Sequence, residues 1–429
     1  MWAIPRAGAL LNTAVLLVFP AIGAARPAPA AAAVVPGAAV GVPGAAVGVP
    51  GAAAAVPGAV ARCPEPSPGI ARTPRPTPPP GRSGDREVGG AALATSGLAA
   101  PTDAAAPPAV TATSWVVADL DTGAVLGGCD PHQYSPPASV QKLLLLETVL
   151  PKVDPNAVVQ VMPEDMNFEP GSSAMGLIEG GRYRVETLLL GLLLNSGNDA
   201  ANVLARIGGG PAGLPGTIAA MNAEAKRLGA YQTHAVTPSG LDGDGQFTSA
   251  YDLALIARAD FARADFRRYV GTRTAQVPPE PPRDPKGYQI TNDNQLLWHY
   301  PGALGGKTGF TDVARHTFMG AAERNGRRLV VTLVGAEAAP QRGWQQGAAL
   351  LDWGFGLPPG DRVGELVPAA NPTPSPTGST PAAADGAHAE AARAGVLGRP
   401  GPTLAMAVAL AVLVAVGLTV FALRRRATR

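Results

Sequence analysis

Four Val-Pro-Gly triplets at a seven-residue spacing, starting at Val35, Val42, Val49 and Val56, set the strongest limit on what this chain can fold into. A repeated Pro-Gly pair denies the backbone both a helical and a strand ladder. The segment that carries them, residues 26–110, has few large apolar side chains. No core can therefore offset the entropy of ordering it, and it reads as a flexible spacer. Residues 359–402, which contain NPTPSPTGSTPAAADG, read as a second spacer. Composition agrees: 53 Gly and 45 Pro among 429 residues are roughly double average usage, and charged residues are only 15 %. Ordinary globular folding is left to residues 111–358, a length of about one domain or two intimate subdomains.

The two ends carry their own signals. Residues 1–25 place Arg6 before an apolar run closed by small residues, the pattern of a secretory signal peptide. Residues 403–423 are uncharged and long enough to cross ~30 Å of hydrocarbon. Arg424, Arg425, Arg426 and Arg429 follow, and such basic flanks stay cytoplasmic. The expectation is a single-pass protein of the cell membrane with its folded domain outside. A net charge of +2 gives no reason to expect nucleic acid as a partner. Two cysteines, Cys63 and Cys129, exclude a disulfide scaffold and a cysteine-based zinc cluster, and no bond between them is expected.

Within the central segment the pattern is orderly. Residues 114–120 and 124–128 read as strands around Asp121-Thr122-Gly123, and 315–321 and 328–335 as strands around Asn325-Gly326. Residues 140–150, 185–194, 200–207 and 248–260 read as helices, the last with Thr248 as N-cap. Strands at both ends with helices between predict an α/β (α+β) fold. Its antiparallel sheet is built from both ends of the domain, with helices packed on it and a helical insert.

Three short motifs bear chemistry. The chain has 34 basic residues but only five lysines: Lys142, Lys152, Lys226, Lys286 and Lys307. Lys142 closes Ser139-Val140-Gln141-Lys142 at the start of a helix, where positions i and i+3 share a face. Serine is a weak nucleophile until a base takes its proton, and a desolvated lysine can be that base whereas arginine cannot. Ser196-Gly197-Asn198 lies in a turn between helices, offering a proton-relaying hydroxyl and an amide for a substrate carbonyl. Lys307-Thr308-Gly309 precedes the last strands. Its glycine admits a substrate backbone to a strand edge, and its lysine and threonine supply donors for a carboxylate. Taken singly, each has a plain structural reading: Ser139 a helix cap, 196–198 a loop, Lys307 a solvated charge. The ordered set of three, all inside one globular segment, outweighs those readings.

This set is one described for penicillin-binding proteins and class A β-lactamases. The segment resembles the serine-type D-alanyl-D-alanine carboxypeptidases of peptidase family S11. Further stretches carry the likeness: 194–202, 238–242, 250–254, 292–297 and 306–312, with Pro137-Ala138 before the serine. The long Pro/Ala arms and the preference for Arg resemble proteins of high-GC Gram-positive bacteria. Gly197 stands where class A β-lactamases usually carry Asp. Gln141 departs from the family's frequent Thr, and Arg315-His316 from smaller residues; neither position is catalytic. The resemblance implies a β-lactamase/transpeptidase-like fold. It also implies roles: Ser139 as nucleophile, Lys142 as general base and Ser196 as proton relay. Asn198, Lys307, Thr308, Gly309 and Phe310 would bind substrate, with the Ser139 and Phe310 N–H groups as oxyanion hole. The substrate would be a peptidoglycan stem pentapeptide, β-lactams would be covalent inhibitors, and no metal or cofactor is implied.

Alternatives are a class A-like β-lactamase, a D,D-endopeptidase and an inactive wall-binding scaffold. The β-lactamase needs a deacylating carboxylate, and Glu224 is the only Glu between Asn198 and Pro279. A zinc peptidase is set aside because His132, His234, His299, His316 and His388 show no ligand spacing.

Overall fold

The computed structural model describes residues 60–66, 74, 76–80, 84 and 86–367. The expected signal peptide, the Val-Pro-Gly repeats, the membrane helix and its basic tail all lie outside these residues. Among the described residues no helix is long and apolar enough to cross a membrane.

The strands are β1 (Leu98–Ala99), β2 (Ser114–Asp119), β3 (Ala124–Cys129), β4 (Val158–Gln160), β5 (Arg182–Arg184), β6 (Thr274–Val277), β7 (Tyr288–Thr291), β8 (Ala303–Thr311), β9 (Arg315–Arg324), β10 (Arg327–Ala336) and β11 (Gly364–Glu365). The helices are α1 (Lys142–Val149), α2 (Val185–Leu194), α3 (Asn198–Gly208), α4 (Gly213–Leu228), α5 (Ala250–Ala262), α6 (Ala264–Val270), α7 (Leu296–His299) and α8 (Gly343–Gly356). The main sheet runs β1-β3-β2-β10-β9-β8, with β11 also on β3, and every pairing in it is antiparallel. Strand β2 pairs with β10 from Asp119↔Leu329 to Ser114↔Val334, so the two ends of the domain meet in mid-sheet.

Alternation along the strands builds two cores. In β2, Trp115 and Val117 face a cluster completed by Leu350 and Leu351 of α8. Val116 and Ala118 face the other way, against Leu143 and Leu146 of α1 and Ala254 of α5. All eight residues of α1 are buried, which makes it the central helix of the domain. The β2–β3 turn closes because Asp119 Oδ1 accepts from the Asp121 and Thr122 N–H groups at 3.0 and 2.8 Å, with Gly123 at φ 82°.

Four expectations need correction. The spacer does not extend to residue 110: Leu93, Ala99 and Val110 are buried, and β1 joins the sheet. Nor does the domain stop at 358, because β11 pairs with β3 and Leu366 is buried in the core. Helix α5 starts at Ala250, and its N-cap is Ser249, whose side chain accepts from Asp252 N–H; Thr248 instead bridges to Ser135 in extended geometry. Cys63 and Cys129 do form a disulfide, with Cα atoms 5.8 Å apart. Residues 60–66 reach Cys129 because Ala61 O accepts from Leu98 N–H and Pro64 O from Val110 N–H, binding this piece to the β1 edge. The helical-looking stretch around Glu224 is α4, whereas no helix is expected over 343–356, which form α8.

Candidate active site

The serine of the first motif sits on a 3-10 turn, Ala138–Gln141, that leads into α1. Pro136 and Pro137 stiffen its approach, and Ala138 is held at φ 47°, a costly conformation for a residue with a Cβ. Three side-chain bonds, from two residues, fix the turn. Thr317 Oγ1 on β9 donates to Pro137 O at 2.9 Å, and Gln141 Nε2 donates to Thr237 O at 2.7 Å and Gln246 Oε1 at 2.8 Å. The departure from Thr at 141 thus ties the turn to the 237–246 loop. The Ser139 hydroxyl lines a cleft of about 530 Å³.

Below the serine, Lys142 is sealed from solvent. Its Nζ stands 2.8 Å from Ser139 Oγ, 2.7 Å from Asn198 Oδ1 and 2.8 Å from Ser239 O. Burial, with the nearby Lys307 charge adding to it, holds its pKa well below the ordinary lysine value, while Asp199 opposes the shift weakly. A neutral amine has two N–H groups and one lone pair. In that form the two carbonyl oxygens take the N–H groups and the lone pair meets the serine hydroxyl, whereas an ammonium donates to all three oxygens.

The second motif enters from the turn between α2 and α3. Ser196 is buried at φ 60°, and its Oγ has no hydrogen-bond partner among the described residues. Asn198 starts α3; its Nδ2 donates to Ser172 Oγ at 2.9 Å while its Oδ1 serves Lys142. The adjacent Asp199 accepts from the N–H groups of Met175, Gly176 and Leu177, each at 2.9 Å, and so holds the loop carrying Ser172 against the motif.

The third motif lies on β8, the edge strand. Gly309 runs so close to the nucleophile turn that a Cβ there would stand 2.7 Å from Ser139 N and 2.4 Å from Thr317 Oγ1. Thr308, Gly309 and Phe310 line the cleft. Lys307 is buried beneath them and donates to Thr308 O at 2.6 Å; burial pushes its pKa down to about 7 against the pull of Asp293. The exposed Phe310 ring lies 4.7 Å from the His316 ring, and Arg315, paired with Glu337 at 2.9 Å, lies over it. Burial, followed by the Arg315 charge, lowers the His316 pKa.

The site residues implied by the resemblance therefore meet at one place: Ser139, Ser196, Asn198, Thr308, Gly309 and Phe310 on the walls, Lys142 and Lys307 under them. Sequence reasoning missed Ser172, Arg342 and Trp344 on the cleft wall, and the Ser239 carbonyl on Lys142. Ser239 lay within a recognised stretch, but a backbone carbonyl leaves no residue-type signal. Arg342 and Trp344 begin a helix that periodicity did not mark. Glu224 is not on the cleft wall. It binds Arg227 on the surface of α4 at 3.0 and 2.8 Å, far from the work a deacylating base would do. His132 is a buried structural residue, 2.8 Å from Gln232 Oε1 and 3.0 Å from Val88 O.

Comparison with known proteins gives concordant findings. Residues 101–338 match the S11 peptidase family model described as D-alanyl-D-alanine carboxypeptidase. The D-alanyl-D-alanine carboxypeptidase DacB2 of Mycobacterium tuberculosis is 46 % identical over 261 residues, covering 59 % of this chain and 86 % of that protein. DacD of Salmonella typhimurium is 36 % identical over 259 residues; here the chain spans 64 % of the relative's length, just under two thirds. Among solved structures, a D-alanyl-D-alanine carboxypeptidase from Mycobacterium tuberculosis H37Rv superposes with TM-score 0.58 at 43 % identity, over 62 % of this chain and 99 % of that one. The Streptomyces K15 DD-transpeptidase does so with TM-score 0.56 at 26 % identity, over 59 % and 100 %.

Proposed function

The chain belongs to the D-alanyl-D-alanine carboxypeptidase family of S11 peptidases, and from that premise we propose that it removes the terminal D-Ala of peptidoglycan stem pentapeptides through an acyl-enzyme on Ser139. The observation that carries the reading is the sealed Lys142 Nζ, 2.8 Å from Ser139 Oγ and also bonded to Asn198 Oδ1 and Ser239 O. In this reading Lys142 takes the serine proton as Oγ attacks the carbonyl of the D-Ala-D-Ala bond. The N–H groups of Ser139 and Phe310 receive the oxyanion charge. The Ser196 hydroxyl, without a hydrogen-bond partner among the described residues, relays the proton held by Lys142 to the departing amine. Asn198 orients the substrate amide. Lys307 and Thr308, with the Arg342 guanidinium on the same wall, hold the terminal carboxylate. Water then frees the shortened peptide and restores the serine. A β-lactam presents a carbonyl and a carboxylate in the same relation, so it acylates Ser139 and leaves slowly.

Location belongs to the same proposal. An export signal at 1–25, a membrane helix at 403–423 and a basic inner tail at 424–429 would hold the catalytic domain on the outer face, where peptidoglycan is. Recovery of the full chain in a soluble cytoplasmic fraction would remove that part.

The decisive assay measures D-alanine release by the full chain from a peptide ending in D-Ala-D-Ala. Loss of release in both Ser139→Ala and Lys142→Ala is expected. Release that survives in Ser139→Ala would sink the mechanism. A wild type that labels stably with penicillin but releases no D-alanine would point to a crosslinked substrate instead.

A further inference from the structure

Arg315 and His316, at the start of β9, have no part in the proposed mechanism, yet both are built into the cleft region. Strands β8 and β9 pair Phe310 with His316 and Thr308 with Phe318. Side chains two apart on a strand share a face, so these four stand together on one side of the sheet. All four line the cleft, with the buried Phe318 as its floor. The exposed Phe310 ring lies 4.7 Å from the His316 ring, and the Arg315 guanidinium lies 5.4 Å from its centre. Arg315 is itself held by both oxygens of Glu337, at 3.0 and 2.9 Å. The Glu337 main chain is tied in turn to Thr111 Oγ1 at 2.8 Å and to Gln346 Nε2 of α8 at 2.9 Å. Arg315 keeps φ 56°, a costly conformation for a residue with a Cβ. The Phe310 ring is therefore an exposed apolar surface fixed in place.

The start of α8 adds Arg342 and Trp344 to the same cleft. The Trp344 ring is backed by the His299 ring of α7 at 5.4 Å, and a His299 ring nitrogen lies 3.2 Å from Gln295 Oε1. Gly343 between them leaves the space open: a Cβ there would meet Phe318 only at 3.7 Å. Burial lowers the His316 pKa, so that ring is uncharged at neutrality. Apart from the two carboxylate anchors, Thr308 and Arg342, the side chains gathered here are aromatic.

In the proposed binding mode the terminal carboxylate of the substrate lies on Lys307, Thr308 and Arg342. The side chain of the terminal residue leaves the carbon next to that carboxylate, so it falls among the neighbours of those anchors. A methyl group fills little of such a space. The cleft holds about 530 Å³, a size that elsewhere takes drug-sized ligands.

We propose that Phe310, His316 and Trp344 form a subsite for the side chain of the departing residue, and that this subsite takes apolar D-amino acids larger than alanine. The substrate class is a peptide ending in D-Ala-D-Xaa with Xaa apolar. This rests on the carboxypeptidase reading and adds a specificity that none of the three motifs encodes.

The test compares the full chain with His316→Ala and Trp344→Ala. Three peptides share one donor half and end in D-Ala-D-Ala, D-Ala-D-Leu and D-Ala-D-Gln; release of the terminal residue is measured. Wild type is expected to release D-leucine with a kcat/KM about tenfold above that for D-glutamine, which is similar in size but polar at its end. Each variant should lose about fivefold to tenfold on the D-leucine peptide and less than about twofold on the D-alanine peptide. His316→Ala, at a half-buried strand position, carries the comparison if Trp344→Ala fails to fold. A wild type that releases D-leucine no faster than D-glutamine overturns the proposal, and so do variants that lose equally on the D-leucine and D-alanine peptides. Release of D-alanine alone refutes the subsite and leaves the carboxypeptidase reading standing. A wild type that releases none of the three residues refutes that reading, and the subsite with it.

Discussion

At Lys142 the chemistry turns on one lone pair, and substitution by arginine isolates that requirement. Arginine keeps the reach of the side chain but does not deprotonate. Lys142→Arg should therefore lose about 10²–10⁴-fold in D-alanine release while the domain stays folded, as checked by circular dichroism and a progress-curve assay. The two lysines also oppose each other in pH. In the proposed mechanism Lys142 must be neutral, so activity should fail as pH falls through its depressed pKa, and Lys307 must be charged, so activity should fail as pH rises past about 7. A pH profile of kcat/KM should show a descending limb near that value, and a profile flat to pH 9 would contradict the role given to Lys307. Ser139, Lys142, Ser196 and Asn198 could be found from the sequence because nucleophile, base and amide have distinctive residue types at short spacing. The Ser239 carbonyl could not, since any residue carries one.

Elements decide how firmly these groups are held. Gly309→Ala would drive a methyl to 2.4 Å from Thr317 Oγ1 and 2.7 Å from Ser139 N. Edge strand β8 must then retreat from the nucleophile turn. The expected cost is about 1–3 kcal/mol of stability, together with loss of penicillin labelling, read by thermal melts and gel fluorescence. Helix α5 offers a separate test. Asp260 is fully buried near its C-terminus, neither carboxyl oxygen has a partner among the described residues, and burial raises its pKa well above the ordinary value, with Glu147 adding to the shift. A carboxyl raised in the folded state stabilises below its unfolded pKa, and that stability drains away as pH rises toward the folded pKa. Stability should therefore fall as pH climbs from about 4, by at most about 1.4 kcal/mol per unit from this group. Asp260→Asn should flatten that slope in urea melts at several pH values. An unaltered slope would show that Asp260 finds a partner or water in solution.

Over the whole molecule, the domain is larger than its motif-bearing segment. Cys63–Cys129 closes a separation of 66 residues, which on chain-entropy grounds is worth up to about 4 kcal/mol. Cys63→Ser in the full chain should lower the melting temperature by several degrees with little change in the penicillin-labelling rate below the melt. A piece spanning 111–358 would lack Leu93, β1 and β11, and should melt well below one spanning 60–367. Equal melting temperatures would mean that the added strands are ornament.

What the sequence determined by itself was whatever rests on local pattern: hairpins at Asp121-Thr122-Gly123 and Asn325-Gly326, the apolar run of α2, and three motifs in order. Turn residues, periodicity and rare lysines act over a few positions and leave a mark in one dimension. Tertiary structure alone decided that Cys63 reaches Cys129, that residues 86–110 and 364–365 complete the sheet, and that Asp293 and Arg342 face the cleft. Those outcomes depend on which distant segments share a surface. A short strand such as Leu98–Ala99 has no intrinsic preference strong enough to announce itself, and forms because β3 offers an unpaired edge. Burial decided the rest: in the proposed mechanism the same lysine serves as a base beneath Ser139 or an anion anchor beneath Thr308, according to what excludes water from it.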